Sequence, residues 1–317
     1  MNLLVTGANG VLGKSIKQYC KLNKTKFKKI LYLSSKKCDL TDEKKVEKLF
    51  KKFKPSHIMH LAAKSGGLGV ANSKFQATLL HDNLKMLINI LESSKNYKVK
   101  KIILTLSSGM YSPNIKMPYE EKNLHDGNVE EGSYGYFFAK RLMEPFIKAY
   151  RDQYKLNVIG LVPNGIYGKE DKFDPQTSPM IPSLIKKIHQ GKISNKKVEI
   201  WGNGTPLREY TYAPDLAKIY FWALKKYDKR KILNIGNTDS KSVKKIAYLI
   251  CEIIGFDKKK LFFNKSKPIG VYKKKTSNYM LKNLYDFKYT NLKDGLIETI
   301  DWYKKNYLKL NKNQKRF

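Results

Sequence analysis

Two periods alternate along the first half of the chain. Short apolar runs at 2–6, 29–33, 57–62, 102–107 and 157–163 read as strands. Between them, 11–22, 43–53, 79–95 and 136–154 carry apolar residues at three- and four-residue spacing, the pattern of amphipathic helices. Strand and helix in regular alternation imply a parallel sheet with helices on both faces and right-handed crossovers. The expected fold class is α/β, a doubly wound parallel-sheet Rossmann domain with a smaller C-terminal substrate domain. After about residue 165 the rhythm changes. Residues 166–205 are rich in Gly, Pro, Asn and Asp around one clear helix at 181–189. Helices follow at 215–226, 242–254 and 292–307, with a strand-like return at 232–236 and a Lys-rich, loop-like stretch at 257–283. The expected division is 1–165 plus about 210–236 for the nucleotide-binding lobe, and 166–209 plus 237–317 for the substrate lobe.

Charge changes the picture less than its size suggests. The chain has 63 Lys and Arg against 27 Asp and Glu, a net +36. Only five are Arg (141, 151, 208, 230 and 316), which leaves 58 Lys. Nucleic-acid binders favour the bidentate Arg fork, so this excess reads as a solvated surface, and no nucleic-acid partner is expected. The field still attracts phosphorylated small molecules. Cys20, Cys38 and Cys251 have no paired spacing, so neither a disulfide framework nor a metal site is expected. The opening MNLLVTG lacks the basic start of a signal peptide, and no run approaches about 20 apolar residues. A cytoplasmic location without a membrane partner is expected.

Chemistry concentrates in a few segments. Thr6-Gly7-Ala8-Asn9-Gly10-Val11-Leu12-Gly13 lies between a predicted strand and a predicted helix. Gly7 permits a tight turn, Gly10 lets backbone approach a pyrophosphate, and Gly13 allows close helix–strand packing. The helix N-terminus then offers amide donors and a positive dipole end. The spacing is GxxGxxG rather than the commoner GxGxxG. The second strand ends in Leu33-Ser34-Ser35-Lys36-Lys37, with no acid to bind a ribose 2′-hydroxyl. Its hydroxyls and cations suit a 2′-phosphate, so NADPH is the expected cofactor. Tyr136 and Lys140, four apart on one helix, share a face. A nearby ammonium is expected to lower the tyrosine pKa and make it a usable proton donor. Ser107, at a strand's carboxyl end, is placed to hydrogen-bond a substrate carbonyl.

Together Gly7, Gly10, Gly13, Ser107, Tyr136 and Lys140 resemble the extended short-chain dehydrogenase/reductases. Further segments narrow the resemblance to the GDP-L-fucose synthases. His60-Leu61-Ala62-Ala63-Lys64-Ser65-Gly66-Gly67 resembles their HLAAKVGG, Trp201 to Glu209 resembles WGSGTPMRE, and Tyr167-Gly168 with Asp171-Lys172-Phe173 resembles LYGPHDNF. The resemblance implies a C4 carbonyl reduced with NADPH. In it Tyr136 donates the proton, Lys140 supports Tyr136 and binds the nicotinamide ribose, and Ser107 holds the carbonyl. The implied cofactor wall is Gly7, Asn9, Gly10, Val11, Leu12, Gly13, Ser34, Ser35, Lys36, Asp39, Leu40, Leu61, Ala62, Ala63, Leu106, Pro163, Asn164 and Ile166, with Tyr136 and Lys140. The implied substrate contacts are Lys64, Ser107, Ser108, Gly109, Asn164, Lys187, Trp201 and Arg208. Arg208 would pair with the diphosphate, and Lys187 stands where the family often has Arg. The family commonly forms homodimers through two long helices, here 79–95 and 136–154.

Two departures stand out. Bifunctional family members epimerise C3 and C5 with a Cys and a His before reducing C4. The Cys of their SSCIYP-like motif is replaced by Gly109 and the His of their SHVIP-like motif by Pro179. Abstracting a proton beside a carbonyl needs a positioned base. Neither His189 nor Cys20 is expected to substitute. The reading is therefore C4 reduction of a GDP-4-keto-6-deoxy sugar, hexose or heptose, for a surface glycan such as capsule or lipopolysaccharide, without epimerisation. The alternatives are a complete GDP-L-fucose synthase and a non-catalytic NADP(H)-binding sensor, the latter having no need of Tyr136 and Lys140.

Overall fold

The first half of the chain runs β1 (Asn2–Thr6), α1 (Val11–Leu22), β2 (Lys29–Tyr32), α2 (Glu43–Phe53), β3 (His57–His60), α3 (Gln76–Asn96), β4 (Lys101–Thr105), α4 (Tyr134–Tyr154) and β5 (Val158–Val162). The second half runs β6 (Gly165–Tyr167), α5 (Met180–Ser194), β7 (Val198–Trp201), β8 (Leu207–Tyr212), α6 (Ala213–Lys226), β9 (Leu233–Asn234), β10 (Ser240–Ser242), α7 (Val243–Ile254), β11 (Leu261–Asn264), α8 (Tyr279–Leu284) and α9 (Leu292–Gln314). The structure, a computed structural model, describes residues 1–65, 75–175, 178–267 and 271–314. Gly66 and Gly67 of the quoted HLAAKSGG segment lie outside the described residues.

The central sheet has six parallel strands in the order β2-β1-β3-β4-β5-β9. Val5 of β1 pairs with Tyr32 on one side and Met59 on the other. The chain steps to opposite sides of β1 on leaving it, which opens a crevice at the carboxyl ends of β1 and β3. Every residue of β3, β4 and β5 is buried, as expected of strands covered on both faces. On one face Val46 and Phe50 of α2, Leu87 and Ile90 of α3, and Met143 and Ile147 of α4 close the core. On the other, Leu12 and Ile16 of α1 meet Leu216, Ile219 and Tyr220 of α6. A third core gathers Ile181, Leu184 and Ile185 of α5, Ile246 and Ile250 of α7, and Leu296 and Ile300 of α9.

One of the cations at the base of the sheet is buried. Lys101, at the first position of β4, is buried and its Nζ donates to the carbonyls of Ala223 (2.9 Å) and Tyr227 (2.7 Å). Those carbonyls end α6, where the helix dipole favours positive charge. Two smaller sheets complete the molecule, β10-β8-β6 and β11-β7.

The parallel core matches the α/β expectation, and most differences lie downstream. The stretch 257–283 is not all loop: β11 pairs in parallel with β7, and α8 follows. The run Leu261-Phe262-Phe263-Asn264 is too short to show a period, and flanking lysines disguise it. β6, β8 and β10 were likewise not expected as strands, since each gains its pairing from a distant segment. Strand ends expected at Leu33, Ala62 and Ser107 fall one to two residues earlier, which frees those residues for turns at the crevice.

Asp215, at 1% exposure near the start of α6, ties the C-terminal region to the sheet. Its carboxylate accepts from Thr290 N at 2.7 Å and Thr290 Oγ1 at 3.0 Å. Asp215→Ala leaves the Thr290 donors without their acceptor. It should lower unfolding stability by about 2–3 kcal/mol, read as a lower urea midpoint at an unchanged m-value.

Candidate active site

The turn after β1 is shaped by three glycines for different reasons. Gly7 has φ +64°, and a Cβ there would lie 2.7 Å from Ala62 N. A Cβ at Gly13 would meet Ala8 Cα at 2.6 Å. At Gly10 the nearest atom to such a Cβ is Gly7 O at 3.4 Å, so the backbone is open to approach. Gly10 is also the N-cap of α1, and no side chain caps that helix. The dipole end and its amides therefore face the crevice, as an anion site requires.

A cavity of about 720 Å³ opens there. Gly7, Asn9, Gly10, Val11, Leu12 and Gly13 line one end. Ser34, Ser35, Asp39 and Leu40 line the side beyond β2; Leu61, Ala62, Ala63 and Lys64 follow β3; Leu106 and Ser107 follow β4. Tyr136 and Lys140 of α4, then Pro163, Asn164 and Ile166, complete the part that was expected. Size and lining fit a dinucleotide. Several expected contacts are not in the wall. Lys36 is exposed on the turn after β2. Ser108 and Gly109 lie behind the lining, with Ser108 N donating to Pro163 O at 3.1 Å. Lys187, Trp201 and Arg208 stand apart on α5, β7 and β8. There Lys187 Nζ and Lys267 Nζ lie 5.6 and 5.9 Å from the ring centroid of the half-exposed Trp201. Lys64 pairs with Asp82 in the second turn of α3.

Lys140 is 2% exposed and its Nζ donates to Thr105 O at 2.7 Å. The ammonium lies 5.7 Å from the Tyr136 ring centroid. Burial holds Lys140 down to about 7. Burial likewise pushes the Tyr136 phenol up to about 12, against the opposing pull of its hydrogen bond with Ser107. The expected lowering of the Tyr136 pKa is therefore not found. A lysine itself held near 7 is only partly charged at neutrality and cannot offset the desolvation. The phenol carries its proton at neutral pH, which is the state a carbonyl reduction consumes.

Asn164, expected at the nicotinamide, lines the cavity, and its amide also bonds to protein. Its Nδ2 donates to Asn237 O at 2.7 Å and Glu209 Oε2 at 3.4 Å, and its Oδ1 accepts from Thr211 Oγ1 at 2.6 Å. Gly109 is buried, and a Cβ built on it would lie 1.9 Å from Cε1 of Phe137. The aromatic ring thus fills the space any side chain at 109 would need. Pro179 caps α5 and lines the cavity with no titratable atom. Three contributors were not found from sequence. Thr105 supplies the carbonyl under Lys140, Phe137 seals position 109, and Asp171 lines the cavity with a buried carboxyl. The acid at Asp171, in the LYGPHDNF-like segment, was readable; its burial and the other two depend on packing.

The sequence profile of the NAD dependent epimerase/dehydratase family matches residues 3–236. The GDP-L-fucose synthase of Dictyostelium discoideum is 34% identical over 308 residues, covering 96% of each chain. Among solved structures, a GDP-L-fucose synthetase from Naegleria fowleri bound to NADP superposes with a TM-score of 0.90 at 28% identity, covering 97% of this chain and 95% of that one. A GDP-mannoheptose C4 reductase from Campylobacter jejuni with NADP bound superposes with a TM-score of 0.84 at 28% identity, covering 96% and 98%. The profile spans the glycine turn, Tyr136 and Lys140, and the relatives match nearly end to end. The chain belongs to the NAD dependent epimerase/dehydratase family, among its GDP-L-fucose synthase-like members, and is a nicotinamide-dependent oxidoreductase.

Proposed function

We propose that this chain is an NADPH-dependent C4 ketoreductase of a GDP-4-keto-6-deoxy sugar, hexose or heptose, that leaves C3 and C5 unchanged. One observation carries the reading. Ser107, Tyr136 and Lys140 face one cavity with the glycine turn, while Phe137 fills the space at position 109.

The open backbone at Gly10 and the uncapped end of α1 suit the cofactor's diphosphate. Ser34 and Ser35, on a turn without an acid at its first positions, suit a 2′-phosphate. Bound NADPH supplies the hydride that C4 gains. The Ser107 hydroxyl orients the carbonyl. Tyr136 gives its phenolic proton to the C4 oxygen, so the C=O becomes CH–OH and a tyrosinate remains. Lys140 stabilises that anion, and its own affinity for a proton rises as the negative charge forms. Solvent returns the proton. Trp201, Lys187 and Arg208 are proposed to hold the GDP portion, supported by an exposed ring flanked by cations.

Inversion at C3 or C5 would need a base beside the sugar. Gly109 and Pro179 carry no ionisable group. Asp171 does line the cavity, but its ionic neighbour is Lys14 on α1, toward the cofactor end. The division into a lobe of 1–165 plus about 210–236 and one of 166–209 plus 237–317 is part of this proposal. The separate core around α5, α7 and α9 supports it, with Leu281 and Tyr285 packing back against the Rossmann core. A homodimer through α3 and α4 is also proposed, since each exposes an apolar side chain, Ile88 and Leu142. The product would feed surface-glycan synthesis.

Tyr136→Phe should lower turnover by about 10²–10⁴-fold while NADPH binding, followed by fluorescence titration, stays within about twofold of wild type. Wild-type enzyme given NADPH and GDP-4-keto-6-deoxymannose in D₂O should yield a product without deuterium at C3 or C5 by NMR. Deuterium at either carbon would point to a complete GDP-L-fucose synthase instead.

A further inference from the structure

Asp171 sits in the loop between β6 and α5 and lines the main cavity. Its Oδ1 accepts from Lys172 N at 2.7 Å. Its Oδ2 is buried, and among the described residues it has no hydrogen-bond partner. Such an atom at the wall of a ligand-sized cavity is available to a bound molecule.

The loop is fixed in place against the cofactor end. Glu170 adopts φ +60°, and its carbonyl accepts from Lys14 Nζ at 2.7 Å. Lys14 belongs to the first turn of α1, one residue past Gly13. The far side of the loop is held by Ser178, whose Oγ accepts from Asp174 N at 2.7 Å. Among the described residues, the groups whose charge or titration couples to Asp171 are Lys14 from α1 and Tyr210 from β8. Its chain neighbours Glu170 and the exposed Lys172 flank it, and Glu170 shares Lys14.

A dinucleotide brings its diphosphate to the amino end of the first helix. Asp171 faces that same end. Two anions in one enclosed site repel, unless the weaker acid is protonated. We propose that Asp171 is a cofactor-binding residue that takes up a proton from solvent as the dinucleotide docks, turning a repelling carboxylate into a hydrogen-bond donor. Burial already raises this carboxyl to about 6, against the lowering pull of the Lys172 amide and of Lys14. A bound diphosphate raises it further. The sign follows. Below pH 6 the carboxyl is protonated with or without cofactor, and affinity is at its highest. As pH rises toward 8, docking must draw in a proton, and affinity falls until the carboxyl is ionised in the complex too.

This inference rests on NADPH as cofactor and on nothing about the sugar, so it is tested without sugar nucleotide. NADPH is titrated calorimetrically into full-length wild-type and Asp171→Asn protein from pH 6 to 8, in buffers of low and high ionisation enthalpy. Asn keeps the Oδ1 contact to Lys172 N; Asp171→Ser is the second variant, and circular dichroism verifies folding of both. Wild type should take up more protons per NADPH than either variant, by as much as one, with the largest difference near pH 7. Its affinity should fall relative to Asp171→Asn by about tenfold for each unit by which docking raises the carboxyl. Lys140 and the 2′-phosphate titrate in every protein and cancel in the difference. Equal proton uptake with parallel pH profiles overturns the proposal. So does an Asn variant weaker than wild type at every pH, which would make the carboxylate an acceptor. A wild-type chain that binds no NADPH overturns both this and the cofactor reading.

Discussion

A buried ammonium governs how the site is assembled. Removing a lysine from water costs several kcal/mol unless strong partners replace the solvent. Lys140 finds one in the carbonyl of Thr105, the last residue of β4. Thr105 is itself held by Tyr220 of α6, its Oγ1 lying 2.8 Å from the phenol oxygen. The contact therefore passes through the sheet from α4 on one face to α6 on the other. His60 at the end of β3 lies close enough to feel Lys140. Burial first, and that cation second, hold the imidazole down to about 3 and hence neutral. A second charge is thus kept out of the same pocket. Because positions four apart on a helix share a face, fixing Lys140 on β4 also fixes Tyr136 over the end of the sheet.

Elements decided by one period or one local turn are legible in the sequence. The first strands and helices, the glycine turn, and the pairing of Tyr136 with Lys140 all depend on residues near one another in the chain. Elements decided by tertiary pairing are not legible in this way. Leu261–Asn264 becomes a strand only because Val198–Trp201 lies beside it. Ser240–Ser242 carries no apolar signal and is a strand only by pairing with Leu207–Glu209. At the site, the residue types were readable but their environments were not. The Tyr–Lys spacing suggests a lowered phenol, whereas enclosure moves both groups toward their neutral forms. Gly109 reads as a lost cysteine; that Phe137 closes the space emerges only when α4 is packed on the turn after β4.

Asn164 lines the cavity and is also tied into the protein. A polar residue at the carboxyl end of a parallel strand invites a ligand role. Here its hydrogen-bonding capacity goes largely into a network that joins separate parts of the chain. Glu209, 6% exposed, accepts from Thr276 N at 3.0 Å and Thr276 Oγ1 at 2.7 Å while also receiving Asn164. Asn237 N donates to Thr211 Oγ1 at 2.7 Å, and Thr211 donates to Asn164. Buried networks of this kind rigidify when every member is satisfied. The network spans the end of β5, the strand β8 and the segment before α8. It joins these parts of the chain beside the cavity, whose lining includes Asn164.

The surface charge and the site charge follow different rules. The chain carries a net +36, yet the described lining of the main cavity holds two lysines, Lys64 and Lys140, and two aspartates, Asp39 and Asp171. Lys64 is already paired with Asp82, and Lys140 is held near neutrality by burial. Local attraction for a polyanionic cofactor therefore comes from backbone amides and the dipole of α1 more than from side-chain cations. Amide dipoles are fixed by the fold and need no counter-ion, so they bind phosphate without the desolvation cost of burying further lysines. The lysine-rich exterior acts at longer range, where it concentrates phosphorylated ligands and is screened within about 8–10 Å at ordinary ionic strength. Affinity in the crevice should accordingly depend more on the glycine turn than on any surface lysine.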